Sequence, residues 1–332
     1  MIPFLEKIKE NNFVILGRAG MDLYPDPPGT KTEDAAQFVA TLGGSSANIA
    51  VALVKHGCKA SLVTSVSDDA VGRFTLNQLD KYGIERRYIR QVGGEFRNSL
   101  ALAETRIEDH QSVIYRNGAA DFQMTVDCVE KIDFSPFAAL ITTGTVFAAE
   151  PSRSAAFHAI TLAKRAGLPI IFDVDYRPYS WPSPDIASEV YSKVAALSDI
   201  IIGNDEEFDF MAGDKNLGLE KAQTLAAEAN RLIVYKMGEK GAITYTGAEE
   251  IHTGIYPVKA LKPTGAGDAF MGGFIAALAQ GLPIKECILR GSASAAIVVT
   301  RVGCAPAMPT PQELDEFLQE HPGPKKPEQI KK

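Results

Sequence analysis

Asp268 closes the run Lys262-Pro263-Thr264-Gly265-Ala266-Gly267-Asp268, and Ala269-Phe270-Met271-Gly272-Gly273-Phe274 follows it. Proline and glycine disfavour a strand here, residues 276–279 are small and apolar, and Gly281 is a natural stop. A loop is therefore predicted to feed a helix whose first turn carries Gly-Ala-Gly. The unpaired N–H groups and the dipole at such a helix start attract anions, and small residues let a phosphate approach the backbone closely. A carboxylate beside a phosphate is repulsive unless it has work to do. The obvious work is to accept a proton from an attacking hydroxyl. Phosphoryl transfer needs that proton removed, the groups aligned and the growing charge stabilised. The plainer alternative is an acid that merely favours a helix N-terminus, and the local pattern leaves both readings open.

Other phosphate-binding patterns do not occur. There is no Gly-x-x-x-x-Gly-Lys-Ser/Thr, and Gly17-Arg18-Ala19-Gly20 stands where a Gly-x-Gly-x-x-Gly loop would follow the first strand. A dehydrogenase reading loses its main support there.

The elements that must position Asp268 show in the periodicity. Short apolar runs at 13–17, 60–66, 139–143, 169–173, 199–203 and 232–236 alternate with helical patterns such as 45–56, 69–82, 154–166 and 186–197. Continuous Val/Ile/Leu runs suit strands buried on both faces, and helices between them imply a parallel sheet, so the fold class is α/β. Two stretches break the alternation. Residues 18–38 are polar and contain Pro25, Pro27, Pro28 and Gly29; residues 97–116 read as two strands around a turn near Glu108-Asp109. Together they make either a small antiparallel flap or an antiparallel edge of the main sheet, and periodicity does not choose. Residues 323–332, rich in Lys and Pro, read as a disordered tail.

Composition narrows the class. The length of 332 residues suggests about two domains at roughly 150 residues each, although large α/β domains exceed that size. A hydrophobic share of 45% supplies a sizeable core and excludes a disordered chain. The net charge of −7 argues against a general nucleic-acid binder but leaves room for a local basic pocket and an anionic substrate. Cys58, Cys128, Cys287 and Cys304 form no Cys-x-x-Cys pair, so a reducing compartment is the simpler reading, and the five histidines suggest no metal cluster. The N-terminus does not read as a signal peptide, and no uncharged apolar run reaches about 18 residues. A cytoplasmic protein is the expectation.

Two separated motifs, Gly43-Gly44-Ser45-Ser46-Ala47-Asn48 and Thr264-Gly265-Ala266-Gly267-Asp268, lie in order about 220 residues apart. Both resemble the signatures of the ribokinase, or PfkB, family of carbohydrate kinases, and the resemblance covers roughly residues 12–318. It implies a three-layer sandwich with a mostly parallel central sheet and a small β-sheet lid over the sugar. Residues 1–322 would then be one kinase domain, with lid segments at roughly 18–40 and 95–117. It also implies in-line attack by a primary hydroxyl on the γ-phosphate of ATP in the presence of Mg²⁺. The stretches Gly17-Arg18-Ala19-Gly20-Met21-Asp22-Leu23-Tyr24-Pro25, Arg97-Asn98-Ser99-Leu100-Ala101, Tyr115-Arg116-Asn117-Gly118-Ala119-Ala120-Asp121 and Phe172-Asp173-Val174-Asp175-Tyr176-Arg177-Pro178 resemble a branch serving inositol catabolism. That branch acts on a keto-deoxy sugar acid at its 6-position. Kinases of other sugar acids, of fructose or of ribose are the near alternatives, and a sugar-sensing pseudokinase is the non-enzyme one. Lids in this family often pair between subunits, which implies a homodimer. The expected partner is a small sugar acid, with no nucleic acid or membrane.

The resemblance gives residues roles, each with a plainer alternative. Asp268 is the base, and Gly265, Ala266 and Gly267 offer N–H groups to the moving phosphoryl group. Asp22, after the first strand, can accept two sugar hydroxyls; otherwise it is a solvated loop acid. The turn Gly43-Gly44 and Asn48 line the sugar site; otherwise they form a helix start capped by Ser45 or Ser46. Asn204 and Glu207 match the family's Asn-x-x-Glu, linked to Mg²⁺ through water, but the same spacing makes a capping box. Lys236, Gly238 and Gly241 suit an ATP phosphate and a nucleotide edge, or a surface hairpin. Arg97, Arg116 and Arg177 are candidates for binding a carboxylate or phosphate. The small-faced run Ser292-Ala293-Ser294-Ala295-Ala296 flanks adenine or simply packs. One departure stands out: many relatives have Asp-Thr-Thr before Gly-Ala-Gly-Asp, with that Asp helping to bind potassium, whereas Lys262-Pro263 stands here. A lysine ammonium in the cation's place implies weak or absent activation by potassium.

Overall fold

The computed structural model describes residues 4–228, 231–247, 249–321 and 323–324; the stretch read as a disordered tail lies outside the described residues from 325 onward. In chain order the strands are β1 (Asn12–Leu16), β2 (Gly20–Asp26), β3 (Gln37–Gly43), β4 (Lys59–Ser67), β5 (Glu85–Val92), β6 (Leu100–Ala103), β7 (Ser112–Tyr115), β8 (Ala139–Thr143), β9 (Ile170–Asp173), β10 (Ile200–Asn204), β11 (Leu232–Lys236), β12 (Ala242–Thr246) and β13 (Glu249–Thr253).

Nine of them form one sheet in the order β13-β12-β11-β10-β9-β8-β1-β4-β5. The pairings from β11 across to β5 are parallel, and β12 and β13 add an antiparallel hairpin at one edge. Alternation along each strand feeds two cores. Val14 and Leu16 join the face covered by the helices Ser152–Arg165 and Pro184–Leu197. Phe13 and Ile15 join the face covered by Ser45–Lys55 and Ala266–Ala279. Both faces of the central strands are dry, which is why their sequences are continuously apolar. Strand β5 does not show in the periodicity because it lies at an edge and carries Glu85, Arg86, Arg87 and Arg90 outward.

The other four strands form a separate sheet in the order β3-β2-β6-β7. It is mixed rather than antiparallel: β2 pairs antiparallel with β3 and β6 with β7, but β2 and β6 run parallel. The chain passes through the main sheet between β3 and β6, and so long a connection permits parallel pairing that a tight turn forbids.

The helix Ala266–Ala279 crosses Ser45–Lys55 at glycine distance. A Cβ on Gly272 would fall 2.2 Å from the Ala52 Cβ. Asn48 and Asp268 lie four residues, or one turn, before that contact on their respective helices. The close crossing therefore sets how near these two side chains come. Gly272→Val should destabilise the fold by about 1–3 kcal/mol through overpacking, read from urea unfolding, and should slow turnover by moving Asp268. Unchanged stability would show that the crossing has slack.

Candidate active site

A cleft of about 800 Å³ opens at the carboxyl ends of the parallel strands. Asp173, Asn204 and Lys236 are the last residues of β9, β10 and β11, and all three line it. This is where open α/β sheets bind ligands, because loops diverge there.

Gly265 is the N-cap of the helix Ala266–Ala279 and has φ +84°, a left-handed conformation that suits glycine. A Cβ there would also press to 2.8 Å from the Cys304 Sγ. Gly265, Ala266, Gly267 and Asp268 all line the cleft. No side chain caps this helix start, so its first N–H groups face the cleft without a built-in acceptor. The Cβ position of Gly267 lies 3.7 Å from the Lys236 Nζ. Lys236 itself packs over the Phe270 ring, with Nζ 5.5 Å from its centroid. The glycine thus keeps open the space between an ammonium and the helix start, where an anion would be held from two sides.

Asp268 is half-buried, and its Oδ2 accepts a 2.8 Å hydrogen bond from the Asn48 Nδ2. Burial, and then the charge of Asp175, push its carboxyl up to about 7; the Asn48 bond, Arg177 and Arg18 pull the other way. A carboxyl poised near neutral pH both takes up and releases a proton readily.

Asp175 anchors the wall behind it. It accepts from the Ser45 Oγ at 2.6 Å, pairs with the Arg177 Nη2 at 2.8 Å, and has φ +34°, a strained value for a residue with a side chain. Burial opposes its charge, but Arg177, Ser45, Arg18 and Arg116 hold its carboxyl below the usual range. Asp173 nearby is pushed well up by burial and by Asp175, so its protonated form is favoured.

Asp22 lies on β2 of the small sheet, not in a loop after β1, and that sheet brings its buried carboxylate to the cleft. Gly43, two register positions from Thr41, the cross-strand partner of Asp22, is required for it: a Cβ there would sit 1.9 Å from the Asp22 Oδ1. Gly44 (φ +94°) caps the helix Ser45–Lys55 without any side-chain bond, and a Cβ on it would meet the Arg18 carbonyl oxygen at 2.5 Å. Ser45 and Ser46 turn instead to Asp175 and to the Thr143 hydroxyl, so neither serves as the cap.

Asn204 and Glu207 line the cleft and also form a full capping box, with bonds of 2.8 Å in both directions; the Tyr176 N–H donates to the other Glu207 oxygen at 3.1 Å. Each carboxylate oxygen keeps a second lone pair, so the cap does not preclude contact with water. Lys236, Gly238 and Gly241 belong to a hairpin between β11 and β12 and line the cleft as well. Ser292, Ala295, Ala296 and Val299 present one face of the helix Ile284–Val299 to the cleft, while Ser294 packs on Gly273.

Two of the three candidate arginines do not reach the cleft. Arg97 is exposed, bound to the Gly94 carbonyl at 2.7 Å and 3.8 Å from Asp69. Arg116 is buried against Asp121 and the Thr145 carbonyl and stacks over Phe122. Both cations are occupied by local partners that the residue type alone does not reveal. Arg177 does line the cleft, together with Arg18, Tyr24 and Cys304, to which the motifs assign no role. The fully buried Lys262 donates from Nζ to the Thr264 carbonyl, behind the loop that presents Gly265.

A three-layer α/β sandwich with a second small sheet and a ligand cleft at the strand ends is the ribokinase-like kinase fold. The sequence profile of the pfkB family of carbohydrate kinases matches residues 10–311, and the chain belongs to that family. It is a carbohydrate kinase. The 5-dehydro-2-deoxygluconokinase of Photobacterium profundum is 36% identical over 321 residues, covering 95% of this chain and 97% of its own. That of Clostridium perfringens is 37% identical over 325 residues, covering 96% and 95%. Among solved structures, the fructokinase of Vibrio cholerae with bound fructose, ADP and calcium shares the fold, with a TM-score of 0.81 at 24% identity over 93% of this chain and 99% of its own. Among the described residues, no helix is long and apolar enough to cross a membrane.

The shift at Asp268 has two consequences. Below about pH 7 its carboxyl takes up a proton; with Asp268 as the proton acceptor, kcat/KM should fall about tenfold per pH unit on the acid side, and a flat profile down to pH 5 would contradict that role. The folded-state value lies above the ordinary 3.8, so ionisation costs stability as pH rises from about 4 to about 7, and the cost is complete above that. Asp268→Asn should therefore melt higher than the parent at pH 8 but not at pH 4.

Proposed function

We propose that the chain transfers the γ-phosphate of ATP to the 6-hydroxyl of 5-dehydro-2-deoxy-D-gluconate, with Asp268 as the base. The observation that carries the mechanism is one carboxylate, poised near neutrality, at the open start of the helix Ala266–Ala279. The substrate rests on the names of the curated relatives, which align over nearly the whole chain.

In this reading the sugar hydroxyl oxygen attacks the γ-phosphorus in line as the bond to the β-phosphate oxygen breaks. The hydroxyl proton passes to Asp268, whose orientation Asn48 fixes, and ADP leaves. The N–H groups of Gly265, Ala266 and Gly267 stabilise the equatorial oxygens, and Lys236 balances charge from the opposite side. Asp22 accepts sugar hydroxyls from the small sheet, which acts as a lid. The apolar face of Ala295, Ala296 and Val299 flanks adenine. Among the described residues, no three His, Cys, Asp or Glu side chains converge as a metal cage. Asn204 and Glu207 instead suit Mg²⁺ through its water shell. When bound, the ion offsets phosphate charge.

A panel of 5-dehydro-2-deoxy-D-gluconate, 2-keto-3-deoxygluconate, fructose and ribose with ATP tests the substrate; the first should have the highest kcat/KM, and a preference for any other would overturn the assignment. Asp268→Asn should lower kcat by orders of magnitude with ATP binding largely kept, and near-normal turnover would remove the base. Lys262 is buried behind the loop, where burial pulls its ammonium down from the usual lysine range and Cys304, Asp268 and Asp22 oppose that pull; its Nζ donates to the Thr264 carbonyl, so in this reading it stands where a monovalent cation would. Exchanging sodium for potassium should then change the rate little, whereas a large increase would contradict it.

A further inference from the structure

Three cationic side chains line the cleft alongside its acids: Lys236, Arg177 and Arg18. Lys236 faces Gly267 at the phosphate end. Arg177 is committed to Asp175 at 2.8 Å and to the Tyr176 carbonyl at 3.1 Å. Arg18 is different. It is only 7% exposed, yet among the described residues its side chain has no ion pair within 4.0 Å, and its Nε is buried with no hydrogen-bond partner. A guanidinium cannot shed its proton to relieve this, and burying one without hydrogen bonds costs free energy. Asp22, Asp175 and Asp268 all lie within its electrostatic reach, so its charge is tolerated without being directly satisfied.

The same carboxylates make this end of the cleft hostile to an anionic substrate unless a cation meets it. The Arg18 fork matches a carboxylate in two parallel hydrogen bonds. Its backbone is also clamped to the catalytic frame. The Arg18 carbonyl accepts from the Ala47 N–H at 3.2 Å and abuts Gly44, at the start of the helix that carries Asn48. A ligand held by Arg18 is thereby referenced to the side chain that orients Asp268.

We propose that Arg18 binds the carboxylate of the substrate and makes the cleft selective for sugar acids over neutral sugars. The inference rests on the kinase reading above and deepens it. A carboxylate held at one end of a short open-chain sugar acid leaves the far hydroxyl free to reach Asp268.

The test compares the wild type with Arg18→Gln on 5-dehydro-2-deoxy-D-gluconate and on its C1 amide, which has the same shape without the charge. Removing one partner of a desolvated charge pair should raise KM for the acid by about 50-fold or more, with a rise for the amide at least about tenfold smaller, so that the preference for acid over amide collapses. Equal losses on acid and amide would reduce Arg18 to a structural residue and overturn the proposal. Should Arg18→Gln not fold, Arg18→Lys keeps the charge without the fork and should show a smaller rise, again for the acid alone. Thermal shift without ATP gives a second readout: the acid should raise the melting point of the wild type and not that of the variant. A wild type that phosphorylates only neutral sugars would sink both this inference and the proposed substrate. One that prefers a different sugar acid would overturn the substrate alone, and the acid–amide comparison on that acid would then decide Arg18.

Discussion

The structure turns on keeping a carboxylate beside an uncapped helix start without letting it fold back as a cap. An acid in the first turn of a helix normally gains by facing the free N–H groups. Asp268 instead points to Asn48 across a helix crossing, which leaves those N–H groups available for phosphate oxygens. Much of the surrounding architecture serves that separation. Gly272 brings the two helices close, Gly265 turns the chain into the helix, and Gly267 clears the space in front of Lys236.

A second constraint is charge. Asp22, Asp173, Asp175 and Asp268 converge on one cleft, and in a dry site they cannot all be ionised cheaply. The structure divides the burden. Asp175 takes the cations and hydroxyls and stays charged, Asp173 favours its protonated form, and Asp268 is left in between. Its intermediate position is what a base requires, and it arises from neighbours contributed by the helices Ser45–Lys55 and Ala266–Ala279 and by the segment after β9.

The loop-to-helix start at Asp268 was legible in the sequence because glycine and proline leave few conformations open, and the buried strands because both of their faces are apolar. Strand β5 was not, since its outward charges hide it, and the β12–β13 hairpin was masked by its Thr- and Glu-rich composition. The parallel pairing of β2 with β6 depends on a connection through the other sheet, which local patterns cannot show. Among the arginines, residue type suggested anion binding for Arg97, Arg116 and Arg177, but availability depends on partners. Asp121, five residues after Arg116, was a signal that this cation is already used. Arg18 left no such trace, because its distinction is to be buried without a partner, and that exists only in three dimensions.

The ionisation of Asp268 is the property on which the proposed proton transfer rests. Carbon NMR of its labelled side-chain carboxyl, followed through a pH titration of the free protein, reads that ionisation without involving turnover. A midpoint near 7, rising further in a protein whose residue 48 can no longer donate to it, is the predicted result. A midpoint in the ordinary carboxylate range near 4 would contradict the claim that burial and Asp175 hold this group ready to take a proton.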